Sequence, residues 1–173
     1  MDYGNNEEII PIDDNIQFKL NKFESFEKLV YDITKFYINF LGVSSISDIK
    51  EQIYEIGQCI KDEVNKGIQA ILEILFFIEM NNKFVSHSIK VTIFAVFIAN
   101  LLKIDDKKID ELIVASLLHD IGKLKLPKKF ANSSISSEYK NDAEKFYKHT
   151  IVGYSIIRED LHYSERIAEM VLK

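Results

Sequence analysis

His119 and Asp120 stand side by side in the chain, and Lys123 follows three residues later. Two leucines precede the pair and Gly122 interrupts the apolar run, so the sequence predicts that the three polar side chains gather where a helix ends. An imidazole nitrogen and a carboxylate oxygen are ligands that suit divalent first-row metal ions. A metal site is therefore the first chemistry that this stretch indicates.

Three of the four histidines recur at similar intervals, at His87, His119 and His149. Each stands at the end of a helix-length segment, so antiparallel helices would bring them together at one end of a bundle, where metal sites of helical proteins are commonly built. In this arrangement His87, His119 and Asp120 bind a first ion, and Asp120 bridges to a second ion that also takes His149. The fourth histidine, His162, is interpreted as a surface residue.

Two such ions would generate a hydroxide from bound water and stabilise both the attacking and the leaving oxygen at phosphorus. Lys123 would then neutralise the charge that develops on the phosphoryl oxygens. The predicted chemistry is hydrolysis of a phosphoester, with Asp120 and Lys123 in the catalytic roles.

A series of helices must position these residues. Apolar residues at helical spacing predict helices over residues 83–102, about 105–118, about 136–149, 151–157 and 165–172. The first is apolar nearly all round, which predicts burial on most sides, and it carries His87 in its first turn. The second delivers His119, the third ends at His149, and residues 123–137 between them are predicted to be a loop.

The N-terminal part of the chain is also predicted to be helical, after an acidic lead-in over residues 1–22. Residues 26–41 have the pattern of an amphipathic helix. A second pattern over residues 49–75 predicts one long helix or two, because Gly57 and Gly67 each weaken a helix by about 1 kcal/mol relative to Ala. Its apolar stripe is interpreted as a core face, with a dimer seam as the alternative.

Composition sets further limits on fold and function. A chain of 173 residues with 47% hydrophobic residues, six Gly and two Pro predicts one ordered, mostly helical domain. With a formal net charge of −5, the chain has no overall excess of basic residues of the kind that proteins binding a nucleic-acid polymer carry. The single cysteine, Cys59, excludes an intramolecular disulfide and indicates a reducing compartment. The longest apolar runs are too short or too interrupted to span a bilayer, so we expect a cytoplasmic protein without membrane insertion.

The chain resembles the HD superfamily of metal-dependent phosphohydrolases, and particularly its HD-GYP branch, over roughly residues 65–173. Asn82–Val91 looks like the first ligand helix of that family, and Leu117–Pro127 looks like its central motif. His149–Gly153 resembles its third histidine with the following glycine. Both the order and the spacing of the three stretches agree with the family.

The resemblance implies a ligand set, a cofactor and a substrate. It implies that the metal ligands are His87, His119, Asp120 and His149, and that Lys123 contacts the phosphate. The implied cofactors are divalent transition-metal ions, Fe or Mn, with two bound where the site is complete. The implied substrate is the cyclic dinucleotide cyclic di-GMP.

We therefore predict an all-α HD-domain helical bundle over residues 65–173, preceded by an N-terminal helical extension over residues 1–64. The extension is expected to serve as a linker or as a dimerisation segment, which leaves a homodimer open.

The sequence also departs from the HD-GYP pattern. In the family a helix like residues 164–173 leads into a His-His-Glu segment, a Gly-Tyr-Pro loop and a last aspartate ligand, so we expect a C-terminally incomplete domain. Lys83 stands where some members place a glutamate that holds a third ion, which disfavours a three-metal site. Two alternatives to the phosphodiesterase are therefore kept: a catalytically incomplete signalling or scaffolding module, and an HD phosphohydrolase that acts on another nucleotide.

Overall fold

The computed structural model describes residues 46–78, 83–126 and 143–172, together with the single positions 28, 31 and 35. Those three positions are helical, and the rest of the amphipathic helix predicted for residues 26–41 lies outside the described residues. Most of the predicted loop over residues 123–137 and the predicted start of the helix after it also lie outside them.

The described part of the chain contains six α-helices and no strand, which confirms the predicted all-α class. The helices are α1 (Ile46–Asn65), α2 (Ile68–Ile78), α3 (Lys83–Leu101), α4 (Asp106–Leu118), α5 (Ala143–Ser155) and α6 (Glu165–Val171). A short 3₁₀ turn at Ile121–Lys125 follows α4, and a π-helical turn at Ile156–Asp160 follows α5.

The pattern over residues 49–75 forms two helices, with the break at Gly67. This glycine has φ +103°, a left-handed conformation that L side chains rarely adopt, and its amide donates to the carbonyl of Val64 at 3.1 Å. Gly57 lies inside α1 without interrupting it. A glycine therefore ends the helix only where the backbone needs a positive φ.

The apolar stripe of α1 is a core face, as interpreted from its spacing. Its buried side chains pack in one cluster with those of α3, α4 and α6: Ile49, Ile53, Ile56, Ile60 and Val64. α1 contacts both α3 and α4. The division of the chain between residues 64 and 65 stays a prediction, and α1 shares its core with the helices that follow.

Helix α3 is less enclosed than its composition predicts. Ile89, Ile93 and Val96 are fully buried, whereas Phe94 and Ile98 are about half exposed. The expectation of burial on most sides is wrong for the described residues, because α1, α2 and α4 contact α3 there and still leave Phe94 and Ile98 about half exposed.

The segment around His149 also differs from the expectation. Helix α5 runs without a break from Ala143 to Ser155, so His149 lies within a helix rather than at the end of one. Lys123 lies in the 3₁₀ turn rather than in an irregular loop.

Among the helices of the described ranges, none has the length and apolar character needed to cross a bilayer.

The shared core makes α1 a structural part of the bundle, which a matched pair of substitutions tests. Ile60 has no solvent exposure, so Ile60→Ala should lower the free energy of unfolding by about 2 to 5 kcal/mol. Ile98 is 52% exposed, so Ile98→Ala should change it by less than about 1 kcal/mol. Urea denaturation followed by circular dichroism measures both. Equal effects would contradict a core role for α1.

Candidate metal centre

Helix α4 carries His119 to the centre of the candidate site. The helix begins at its N-cap Asp105, whose carboxylate accepts a hydrogen bond from the amide of Lys107 at 3.1 Å. Its last turn is buried, and His119 is the C-cap. There the Nδ1 atom of His119 donates to the carbonyl of Ser116 at 2.7 Å. This hydrogen bond fixes the ring and leaves Nε2 as the atom directed at the site.

Asp120 leaves the helix and opens the 3₁₀ turn. Its backbone has φ −102° and ψ 5°, the bridge region, and its carbonyl accepts from the amide of Lys123 at 2.9 Å. The same turn places the ammonium of Lys123 2.6 Å from Asp120 Oδ2. The two residues, which the sequence predicts to lie close together, form an ion pair. Both side chains are largely buried.

His87 approaches from the first turn of α3. Its Nε2 atom lies 3.1 Å from His119 Nε2 and 3.8 Å from Asp120 Oδ2. The two rings meet edge to face, with centroids 5.0 Å apart. The His87 side chain is about half exposed, so this side of the cluster is open to solvent.

His149 approaches from α5, and a glycine allows it to come close. A Cβ atom on Gly122 would lie 1.9 Å from the His149 carbonyl oxygen and 2.6 Å from the amide nitrogen of Gly153, both backbone atoms. Any side chain at position 122 would therefore push α5 away from the 3₁₀ turn. With glycine there, His149 Nε2 lies 3.4 Å from Asp120 Oδ1.

The carboxylate of Asp120 is buried, and its two oxygens face different partners. Oδ2 faces His87, His119 and Lys123, whereas Oδ1 faces His149. Burial alone would raise the pKa of Asp120, but the contacts with His119 and His149 and the ammonium of Lys123 outweigh it. They hold the pKa of this carboxyl well below its usual range, so Asp120 is ionised at neutral pH.

The two histidines on the Oδ2 side differ in proton affinity. Burial lowers the pKa of His119, yet the contact with the Asp120 carboxylate outweighs it and raises the pKa above the ordinary value. Burial and the neighbouring charge of His119 lower the pKa of His87. The pair therefore favours a single proton, held on His119.

These three groups fit a divalent metal ion. The ligand atoms of His87, His119 and Asp120 all lie within 4.8 Å of one another. Two ligands at the usual metal–nitrogen distance of about 2.0 to 2.1 Å are separated by about 2.9 to 3.4 Å, depending on the angle between them. The separations of 3.1 Å from His119 Nε2 to His87 Nε2 and 3.4 Å to Asp120 Oδ2 agree with this range, whereas the 3.8 Å from His87 Nε2 to Asp120 Oδ2 is larger. Electron-pair donors this close are stable with a cation between them, whether a proton or a metal ion.

All four residues predicted as metal ligands therefore lie in one cluster, and Lys123 joins it through Asp120. Their roles as ligands, and the role of Lys123 on phosphate, stay predictions. His162 is exposed, as interpreted from the sequence, and adopts φ 52°.

Sequence reasoning missed two supporting groups. The first is the carbonyl of Ser116, which orients His119. The available signal was the position of Ser116, three residues before His119 in a predicted helix. The close approach at Gly122 was also missed, because a glycine inside the His-Asp stretch was read only as a break in the helix.

Comparison with known proteins gives one match. A family model described as the HD domain matches residues 84–173, which is 90 of the 173 residues and includes the whole cluster. No curated protein and no solved structure matched the chain.

The two glycines at the contact between the 3₁₀ turn and α5 should respond differently to the same substitution. Gly122→Ala places a methyl group against backbone atoms, so we expect a loss of about 3 kcal/mol or more in the free energy of unfolding. Gly153→Ala meets Val171 Cγ1 at 3.2 Å and other atoms at 3.6 Å. Because alanine favours the helix, Gly153→Ala should stay within about 1 kcal/mol of wild type. Chemical denaturation of both variants measures the difference, and equal stabilities would refute the steric role of Gly122.

Asp120 should give the metal-free protein a characteristic pH dependence. Folding lowers the pKa of Asp120, so its stabilisation is present above about pH 4 and is lost as the pH falls further. Folding raises the pKa of His119, so that stabilisation is present below about pH 6.5 and is lost as the pH rises through the raised pKa. Asp120→Asn removes both contributions. The difference in unfolding free energy between wild type and Asp120→Asn should peak near pH 5.5, at about 3 kcal/mol.

Urea denaturation of the chelated proteins at about pH 3, 5.5 and 8 samples both flanks of this maximum. A difference that is constant over the three values would show that the charge on Asp120 does not stabilise the fold.

Proposed function

The chain belongs to the HD domain family of metal-dependent phosphohydrolases, and on that premise we propose that it hydrolyses a phosphodiester bond of a cyclic dinucleotide, cyclic di-GMP. The proposed metal ligands are His87, His119, Asp120 and His149. The proposed cofactors are two divalent ions, Fe or Mn, since imidazole and carboxylate are suitable donors for both.

One observation carries the proposal: two imidazole nitrogens and a buried carboxylate converge on one point. The ligand atoms of His87, His119 and Asp120 lie within 4.8 Å of one another. His149 faces the second oxygen of the same carboxylate at 3.4 Å. A carboxylate with nitrogen donors at both oxygens could hold an ion at each oxygen, and two such ions would supply the charge stabilisation that phosphoester hydrolysis needs.

When bound, the ions would activate water for attack on phosphorus and polarise the phosphoryl oxygens. The residues of the chain prepare the site for this chemistry. Ser116 holds the ring of His119 in one orientation, and Asp120 remains ionised because its pKa is lowered. The Nζ atom of Lys123 lies 2.6 Å from Asp120 Oδ2, and this side chain would offset negative charge that develops on a phosphoryl group.

Access to the cluster supports a substrate that arrives from solvent. Lys123, Asp120 and His149 are largely buried, whereas the His87 side chain is 54% exposed. A phosphodiester would therefore approach along α3. Because the net charge of the chain is −5, attraction of an anionic nucleotide depends on the local charge of Lys123 and the bound ions rather than on the whole protein.

A second candidate function is a signalling or scaffolding module without turnover. The ion pair between Lys123 and Asp120 favours it, because the ammonium already neutralises the oxygen that a metal ion would need. If that pair persists, the cluster stabilises the fold and binds no metal.

Metal content and turnover separate these functions. Purified wild type should contain Fe or Mn by plasma mass spectrometry and convert cyclic di-GMP into a linear product in the presence of Mn²⁺ or Fe²⁺. His119→Ala should lose the metal and lower the rate by more than about 100-fold, since it removes a ligand outright. The matched control is His162→Asn, which alters an exposed histidine whose positive φ asparagine tolerates. It should keep both properties.

Two other outcomes would contradict the substrate or the catalytic function. Metal that is lost in His119→Ala without hydrolysis of cyclic di-GMP would contradict the substrate and leave a phosphohydrolase for another nucleotide. Absence of metal from every protein, including samples incubated with Mn²⁺ or Fe²⁺, would overturn the catalytic proposal in favour of the scaffolding module.

A further inference from the structure

A cavity of about 250 Å³ lies between α1 and α4, and none of the four clustered residues lines it. Its walls are almost entirely apolar and come from three parts of the chain. They include Ile53 and Tyr54 of α1, Ile113 and Val114 of α4, and Tyr163 from the segment before α6. The cavity is therefore distinct from the proposed metal centre.

The inner wall of the cavity is closely packed. Gly57 of α1 faces α4 so closely that a Cβ atom there would lie 2.6 Å from Ile113 Cγ2. Ile53 and Ile113 both belong to the hydrophobic core and are almost fully buried. Because the helices are already in contact at this point, the cavity cannot close by a small movement of one helix.

Lys50 places a positive charge at the edge of the cavity. Its ammonium lies 4.6 Å from the centre of the Tyr163 ring and donates to the His162 carbonyl at 3.2 Å. Within the described ranges, no carboxylate forms an ion pair with it. The other charged lining residue, Asp110, is paired with Lys61 at 3.0 Å, and Lys61 also pairs with Asp106 at 2.7 Å. Lys50 is therefore the charged lining residue that has no ion-pair partner in the described part of the chain.

The residues around Lys50 and the volume of the cavity limit the charge and the size of a ligand. The face of Tyr163 that would attract a cation already holds the Lys50 ammonium, so a second cation is repelled. The volume is below the range of roughly 300 to 1,000 Å³ that is typical of sites for drug-sized ligands. An apolar molecule of one or two rings with one negative group matches these limits.

We propose that this cavity binds a small aromatic carboxylate, with its ring against Ile53, Val114 and Tyr163 and its carboxylate on the ammonium of Lys50. A charge-assisted hydrogen bond would fix the orientation of the ligand, and burial of its ring would supply most of the affinity. This site is independent of the proposed phosphohydrolase function.

Isothermal titration calorimetry of the full chain with 1-naphthoate tests the site. Wild type should bind one molecule per chain, and Lys50→Met should weaken binding by about ten-fold or more, since it removes the charged partner. The matched control Lys107→Met removes an exposed lysine outside the cavity and should bind like wild type. Neutral 1-naphthol should bind wild type about ten-fold more weakly than 1-naphthoate and should not respond to Lys50→Met.

Two further variants locate the probe. Val114→Phe fills the cavity and should abolish binding, with thermal unfolding as the check that the protein folds. Tyr54 is 63% exposed, so Tyr54→Ala keeps the fold and should weaken binding several-fold. If Val114→Phe does not fold, Tyr54→Ala and Lys50→Met decide the question.

Three results would overturn the proposal. Failure of 1-naphthoate to bind wild type would remove the site. Binding that neither Val114→Phe nor Tyr54→Ala weakens would place the probe on another apolar surface, such as the open face of α3. Equal affinities for naphthoate and naphthol would overturn the carboxylate as the recognised group.

Discussion

The buried carboxylate of Asp120 is the constraint on which the rest of the structure depends. An anion with almost no contact with water must be compensated by hydrogen bonds or positive charge. Here the compensation comes from α3, from the end of α4, from the 3₁₀ turn and from α5. A shift of any of these segments would leave charge uncompensated, so the packing of the helices and the geometry of the cluster depend on each other.

The backbone contributes as much to this geometry as the side chains do. The carbonyl of Ser116 sets the ring of His119, and the missing side chain of Gly122 lets α5 approach the 3₁₀ turn. Neither group donates an electron pair to the centre of the cluster. Both determine whether His119 and His149 reach the two oxygens of Asp120, which is the usual task of the groups that surround metal ligands.

Much of this arrangement was predictable from local sequence. The apolar spacing predicted α3 and α4, and the adjacency of His119 and Asp120 predicted their proximity. Periodicity could not show that Phe94 and Ile98 are exposed, because it identifies an apolar face and not the neighbour that covers it. The ion pair of Lys123 with Asp120 is local, whereas the approach of His149 to Asp120 depends on tertiary packing, which no single segment encodes.

The cluster also joins parts of the chain that are far apart, with His87 and His119 separated by 32 residues. Helices α3 and α4 form from local contacts, whereas meetings between distant segments come late in folding because loop closure costs entropy first. The contact of α5 with the 3₁₀ turn likewise requires closure of the chain between them. A cation bound by these side chains would slow the opening of this contact, so the lifetime of the native state depends on what occupies the cluster.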